Sequence, residues 1–490
     1  MDVQAKKQGK AVVMGGSMAG MLAARVLADE FEEVLIVDRD EFPAGPENRA
    51  GTPQAYHPHR LLPRGKMILS ELFPGWMEEL LTYGAFSREG KTIRSISPYG
   101  TLEVTDRQDA VCTRALLEWA FRRRIQVIPN IRLLAGWEVT GLQMTTDQSE
   151  VTGVLLRERG GERQSAAIEA DLVVDASGRS SKLARWLQAA GYEVPEPERL
   201  ATSLGYSTRL YRMPGHVADR WSVILVEGIP AQGRGTGVFG PIEGNKVEVV
   251  LYCAGGQRYP STDAELYEQE LAELYDPILA EVLQDCEPLG PPRGYRVPEC
   301  FRQRFEQMER WPSGLLAVGD ALCNFDPIYG QGITVAAIEA EILGRYLRGR
   351  GPGRSGGWER EVFEQMQVAI EPAWWLTTVS DLCWPGVTYT GAYSPEGIAF
   401  AQTYLDLYRK LAVGGRRMEL FQKYMMVNGL LISPQEILSV EMIEAVLAAD
   451  PTGEGKRWLA GLGLEEWARL QQFLKRNLPV FAGKGAIGRE

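Results

Sequence analysis

Apolar positions open the chain as two short runs, Ala11 to Met14 and Val34 to Val37, separated by a stripe of Met18, Leu22 and Val26. Apolar runs of four, bounded by turn residues, read as buried strands, and a stripe at every fourth position reads as one face of a helix. The pattern returns late in the chain. Leu315 to Val318 is a short apolar strand, Gly319 and Asp320 turn it, a loop with Pro327, Gly330 and Gly332 follows, and an apolar helix runs to about Leu347. Between the two, Val151 to Arg157 and Ser165 to Ile168 flank Gly160-Gly161 as a hairpin leading into a third strand that ends on Asp175.

From Ala201 to Tyr259 the chain alternates as strands do, through Tyr206, Thr208 and Leu210, then Val223 to Val226, then Val247, Val249 and Leu251. This predicts an antiparallel sheet. Leu102 to Val111 predicts a strand leading to a helix at Arg114, whose end, Arg122 to Arg124, reads as a solvated basic cluster. Ala264 to Val282 predicts one acidic helix. A Gly-rich basic linker, Arg348 to Gly357, then separates a helical C-terminal part. There Ser433 to Glu436 forms a capping box ahead of Leu438, Met442 and Val446, and Trp467, Leu470 and Leu474 make a second amphipathic stripe.

The turns carry the chemistry. Gly15-Gly16-Ser17-Met18-Ala19-Gly20 links the first strand to the first helix, and the second strand ends on Asp38 followed by Arg39. Strand, glycine turn, helix and an acid about twenty residues on form the dinucleotide fingerprint: a pyrophosphate at a helix N-terminus and a carboxylate for a ribose. An acid at Asp38 favours FAD or NAD over NADP. At the late turn, a carboxylate at a strand end before a new helix suits a polyol chain on a ring that becomes anionic, which describes a flavin.

Composition narrows the partners. A net charge of −11 over 490 residues argues against nucleic acid, which needs a basic face. No window is apolar for long enough to span a membrane, and Met1 to Lys10 has no apolar leader, which predicts a cytoplasmic protein. The six cysteines have no paired spacing, so neither zinc nor a disulfide framework is indicated. The long loop after Asp38 holds two of the three histidines, His57 and His59, beside Gln54. Two histidines two apart are able to share a metal, but no third ligand lies near in sequence. The reading is therefore packing around a cofactor, or direct positioning of flavin or substrate, with no metal.

Together the three glycine elements, Gly15 to Gly20, Asp175 to Ser181 and Gly319 to Gly332, resemble the FAD-dependent monooxygenases of the para-hydroxybenzoate hydroxylase fold, in order and spacing over about the first 350 residues. The resemblance implies an α/β FAD-binding domain of Rossmann-like, glutathione-reductase type (residues 1–200 with 295–347). It also implies an inserted antiparallel-sheet substrate domain (201–294), with a helical C-terminal domain (358–490) appended. It implies cofactor contacts from Gly15, Gly16, Ser17, Ala19, Gly20, Asp38, Arg39, Arg114, Asp175, Gly178, Gly319, Asp320, Gly330, Gly332 and Ile333. Pro327, Gly330 and Gly332 are expected against the isoalloxazine, with His57, His59 and Gln54 passing flavin and substrate. Tyr206, Trp221, Tyr252 and Trp374 are candidate substrate contacts, although aromatic residues on strands are more often core and Trp374 reads at least as readily as core. The chain departs from the family at Asp175-Ala-Ser-Gly, in place of a bare Asp-Gly, and at Thr334, where many members carry Asn.

In such enzymes reduced flavin and O2 form a ring hydroperoxide with an electrophilic distal oxygen, the electrons coming from NAD(P)H or a separate flavin reductase. Pro43 to Pro46, Pro53 to His59, Asn324 to Gly332 and the helical C-terminus resemble the subgroup of polyether polyketide epoxidases, which implies oxygenation of a large apolar olefin. Four other readings stay open: aromatic hydroxylase, flavin-dependent halogenase (whose Trp-x-Trp-x-Ile-Pro signature is absent), geranylgeranyl-type double-bond reductase, and a flavin-binding protein without turnover.

Overall fold

The computed structural model describes residues 7–107, 109–160, 164–349 and 357–481. Gly161 of the expected hairpin turn, most of the expected linker (350–356) and the residues before Lys7 lie outside them. The chain divides into two compact units, Met1–Tyr83 with Cys112–Glu198 and Cys300–Ile370, and Gly84–Val111 with Arg199–Glu299 and Glu371–Glu490.

The first unit is built on a five-stranded parallel sheet in the order Leu315–Ala317, Leu172–Asp175, Gln8–Met14, Phe31–Val37, Ile131–Leu134. Ala11, Val12, Val13, Leu172, Val173, Leu315 and Leu316 are fully buried, as parallel strands covered on both faces must be. The order places the ends of Gln8–Met14, Leu172–Asp175 and Leu315–Ala317 side by side, so the three glycine turns emerge at one edge. Helices Met18–Leu27 and Gly332–Arg348 pack on each other, Gly344 against Val26. A three-stranded sheet, Ser165–Glu169, Val151–Glu158 and Trp137–Met144, carries the predicted hairpin.

In the second unit an eight-stranded sheet runs Glu287–Pro288, Leu204–Arg212, Lys246–Cys253, Thr236–Ile242, Trp221–Val226, Thr92–Ser97, Gly100–Thr105, with Arg293–Val297 also pairing onto Leu204–Arg212. One face packs Tyr211, Phe239, Val247, Val249 and Leu251 against Tyr267, Leu271 and Leu279 of two helices. The C-terminal helices follow a second aromatic core. Phe400, Tyr404 and Tyr408 stack along Pro395–Arg409, and the Tyr404 hydroxyl donates to the Ile437 carbonyl at 2.7 Å.

Four local expectations need correction. Ala264 to Val282 is two helices, Ala264–Ala272 and Ile278–Leu283, because Pro277 lacks the amide to continue the first. Leu102 to Val111 is two strands, Gly100–Thr105 and Ala110–Val111. The helix expected from Ser433 through Val446 breaks at Ser439, which turns extended and caps Val440–Ala449 by accepting from the Met442 amide. Arg122 is not solvated: it is 4% exposed, donates to the Pro43 carbonyl at 2.8 Å and lies over the Phe42 ring.

Candidate functional site

At the first turn the Asp38 carboxylate accepts the amide of Gly16 at 2.7 Å and that of Asp40 at 2.8 Å. Ser17 does not cap the helix it precedes. Its hydroxyl instead donates to Glu118 at 3.1 Å and accepts from Arg114 at 2.6 Å. The first amides of Met18–Leu27 therefore have no side-chain cap, which is what a pyrophosphate at this position needs.

Around this turn runs a chain of nearly buried charges. Arg49 reaches Glu118 at 2.7 Å, Asp40 at 2.9 Å and Asp38 at 3.4 Å, and Glu118 also pairs with Arg114 at 3.0 Å. Burial pushes the Glu118 carboxyl up, but Arg114 and Arg49 outweigh it and hold the group below its ordinary range. Glu118 and Arg49 were not among the expected site residues. The spacing of Arg114 and Glu118, four apart on one helix, was the available signal. Arg39 lines an open groove of about 610 Å³ together with Asp40 and Arg49 of this chain of charges and with Phe42, Asn48 and Arg159.

The second and third turns lie against the first. A Cβ on Gly319 would sit 2.6 Å from that of Ala19, so only glycine fits there, and its φ of +62° needs one as well. Asp175 is fully buried, accepting the Ser177 amide at 2.9 Å and the Ser181 hydroxyl at 2.5 Å. Gly178 takes a φ of +80° in this turn. Asp320 accepts no hydrogen bond from any described residue; Arg114 and Arg179 are the charges it feels, and burial, outweighing them, pushes its carboxyl up.

The fourth part joins segments far apart in sequence. The Thr334 hydroxyl accepts the Leu62 amide at 3.1 Å, Gly330 rests on Arg60, and Arg64 pairs with Glu341 at 2.6 Å. This brings the short turn Pro53–Tyr56, with Gln54, and His57 and His59 into one body with Pro327–Tyr329 and with Gly332 and Ile333 of the next helix. Thr334, the family departure, thus does a structural job. His59 Nδ1 lies 2.8 Å from the His57 carbonyl, and burial, then the Arg114 charge, lowers the ring to about 3. It is a neutral imidazole whose Nδ1–H is committed.

Of the expected substrate contacts, Tyr206 and Tyr252 are cross-strand partners on one sheet face. Trp221 belongs to the core on the opposite face, and Trp374 is fully buried in Trp358–Asp381. The four are not brought together. Among the described residues no group of three or more His, Cys, Asp or Glu is arranged to hold a metal, and no helix is long and apolar enough to cross a membrane.

These residues fit FAD: uncapped amides at a helix start, an acid at the second strand end, and a half-buried carboxylate at the third turn that no described residue hydrogen-bonds. A five-stranded parallel sheet with three converging turns defines the para-hydroxybenzoate hydroxylase-like flavoprotein fold. The FAD binding domain family matches residues 103–354, and the chain belongs to that family of flavin monooxygenases. It is 30% identical over 387 residues to Protein Rv3254 of Mycobacterium tuberculosis, spanning 76% of this chain and 80% of that one. Squalene epoxidase 1 of Arabidopsis thaliana is 25% identical over 347 residues, 69% of this chain and 59% of that protein. Among solved structures, the flavin-dependent brominase Bmp2 has a TM-score of 0.60 at 14% identity, covering 86% of this chain and 92% of its own. The p-nitrophenol 4-monooxygenase PnpA from Pseudomonas putida has a TM-score of 0.56 at 14% identity, covering 87% and 99%. Both likenesses show the fold.

Proposed function

We propose that this enzyme inserts one oxygen atom of O2 into a large apolar natural product, by epoxidation of an olefin, in the manner of the polyether polyketide epoxidases. The observation that carries this is the state of the loop beside the flavin-facing turn. Of the two histidines in this loop, His59 is neutral with its Nδ1–H spent on a backbone carbonyl. A phenol hydroxylase needs a base poised to take a proton, whereas an olefin attacks electrophilic oxygen directly. The likeness to a squalene epoxidase supports the same choice.

Reduced flavin, when bound, activates O2 and supplies the electrophilic oxygen. The chain's own residues do the rest. Gly15 to Gly20 and Asp38 hold the dinucleotide end, and Asp320 takes the ribityl hydroxyls with Arg114 and Arg179 nearby. The uncapped first turn of Gly332–Arg348 offers its amides and dipole to negative charge developing on the ring. Gln54, His57 and His59 orient ring and substrate rather than move protons. The electrons come from NAD(P)H visiting transiently or from a separate flavin reductase, and the setting is cytoplasmic.

The test is rapid mixing of anaerobically photoreduced holoenzyme with oxygenated buffer, following flavin absorbance. A spectroscopically distinct transient before reoxidation, followed by epoxide from an added olefin without halide, is the expected result. A product formed only with bromide or chloride would make the enzyme a halogenase, and direct reoxidation with no transient in the presence of olefins would sink the oxygenase reading.

A further inference from the structure

An acid in the middle of an apolar helix is costly, and Glu339 of Gly332–Arg348 is fully buried among Val335, Ala336, Ile338, Ala340 and Ile342 of its own helix. Its Oε2 accepts the Gly319 amide at 2.5 Å, and its Oε1, closed off from solvent, has no hydrogen-bond partner among the described residues. The amide needs this acceptor. Leu315–Ala317 is the outer strand of its sheet, and the Val318 amide still reaches the Asp175 carbonyl at 2.9 Å. At Gly319 the chain turns off the sheet with a φ of +62°.

The same helix meets this turn a second time. A Cβ on its first residue, Gly332, would lie 3.8 Å from Asp320 Oδ1. Gly332 and Glu339 stand two helical turns apart, roughly 10 Å along the axis, so one element brackets Gly319 and Asp320. Holding the Gly319 amide at one end sets the direction of Asp320, the next residue, relative to the free amides at the other.

Charge makes the contact conditional. Burial raises the Glu339 carboxyl to about 8, the Gly319 amide opposing and the Asp320 charge adding to the rise. Cys323 is a further titratable group beside the pair, and Arg114 and Arg179 act on Asp320. On the helices packed against this one, Arg25 pairs with Asp29 and Arg64 with Glu341. No cation is among the charges that Glu339 feels. Two carboxylates at one turn resist ionising together, and FAD brings a negative pyrophosphate to the same edge of the sheet.

We infer that Glu339 is a positioning residue for the flavin: through the Gly319 amide it aims Asp320 at the ribityl hydroxyls, and FAD binding requires a proton on this pair of carboxyls. The inference rests on the reading that places the ribityl chain at Asp320. It adds what holds that acid in place, and a pH limit on cofactor uptake.

The test is titration of apoprotein with FAD between pH 6 and pH 9.5, followed by quenching of flavin fluorescence. Wild-type affinity is expected to hold up to about pH 8 and then to fall towards about tenfold per pH unit, because the apoprotein gives up a proton that the complex keeps. Glu339→Gln keeps an acceptor for the Gly319 amide and cannot ionise, so its affinity at pH 7 should match the wild type and its profile should be level. Glu339→Leu removes the acceptor and should weaken FAD about tenfold at pH 7. Difference infrared spectra on adding FAD should show a shifted carboxylic carbonyl band that Glu339→Gln lacks.

Wild-type affinity level to pH 9.5, or a decline that persists in Glu339→Gln, overturns the inference. Should Glu339→Leu fail to fold, the Glu339→Gln profile decides alone. Weak FAD binding by Asp320→Ala beside a level wild-type profile removes the role of Glu339 and leaves the ribityl contact standing. Unchanged binding by Asp320→Ala removes the ribityl contact and the inference with it.

Discussion

The two ends of the flavin site handle buried charge in opposite ways. At the nucleotide end Asp38, Asp40, Arg49, Glu118 and Arg114 satisfy one another completely, in ion pairs of 2.7 to 3.4 Å. At the late turn, among the described residues, Asp320 has no hydrogen-bonding partner, and Glu339, two helical turns into Gly332–Arg348, has one. Glu339 is fully buried and accepts the Gly319 amide at 2.5 Å through Oε2, while Oε1 has no partner. The first end is paired within the protein itself. On the proposed reading the second end holds a group that the ligand completes, and it should carry the larger share of binding and the smaller share of stability.

That contrast is easiest to break at Arg49. Arg49→Met strands Glu118, Asp38 and Asp40 as buried negative charge, and unfolding of the apoprotein should become easier by about 3–5 kcal/mol. Chemical denaturation with and without FAD reads this directly; a loss below about 1 kcal/mol would show that the network is not what holds this end. Asp320→Ala should do the opposite. Flavin affinity falls by about 100-fold, two charge-assisted hydrogen bonds' worth, while apoprotein stability holds or rises because an unpartnered carboxylate has gone. Titration calorimetry of apoprotein with FAD, beside a thermal melt, separates the two effects.

Glu339 sharpens the contrast through pH. Burial first, then the Asp320 charge, raises its carboxyl to about 8, the Gly319 amide opposing. An acid raised in the folded state binds its proton more tightly there than in the unfolded chain, whose value is about 4.3. Stability from this group is thus intact below about pH 4.3 and declines by up to about 1.4 kcal/mol per pH unit until about pH 8. Glu339→Gln should flatten that part of the curve, and apoprotein melts from pH 5 to 8 that show the same slope in both proteins would refute the assignment. The smallest effect is expected at Thr334→Val, which leaves the Leu62 amide without its acceptor and costs about 1 kcal/mol. Hydrogen exchange at Leu62 should rise in that variant alone.

What the sequence disclosed follows the same division. The backbone-driven features were legible because glycine spacing and a terminal acid state their own geometry: Gly15 to Gly20, Asp38 and the Gly319-Asp320 turn all stand where the pattern put them. The partners of those residues were not, since a charge pair such as Arg49 with Glu118 joins positions 69 apart. Arg122 read as solvated because helix-end charges usually are, and only the distant Phe42 and Pro43 reverse that. Helix breaks were missed where apolar periodicity ran through Pro277, which has no amide to donate, and through Ser439, whose hydroxyl caps the next helix.

The bond from Leu62 to Thr334 spans 272 positions. A ribosome adding roughly 5–20 residues per second needs on the order of tens of seconds to deliver the second partner after the first. During that interval the segment around His57 has no counterpart to close on, and the Gln8–Met14 and Leu172–Asp175 strands wait for Leu315–Ala317 to finish their sheet. Competence to take up flavin therefore arrives late in synthesis, once the last strand of the sheet has emerged.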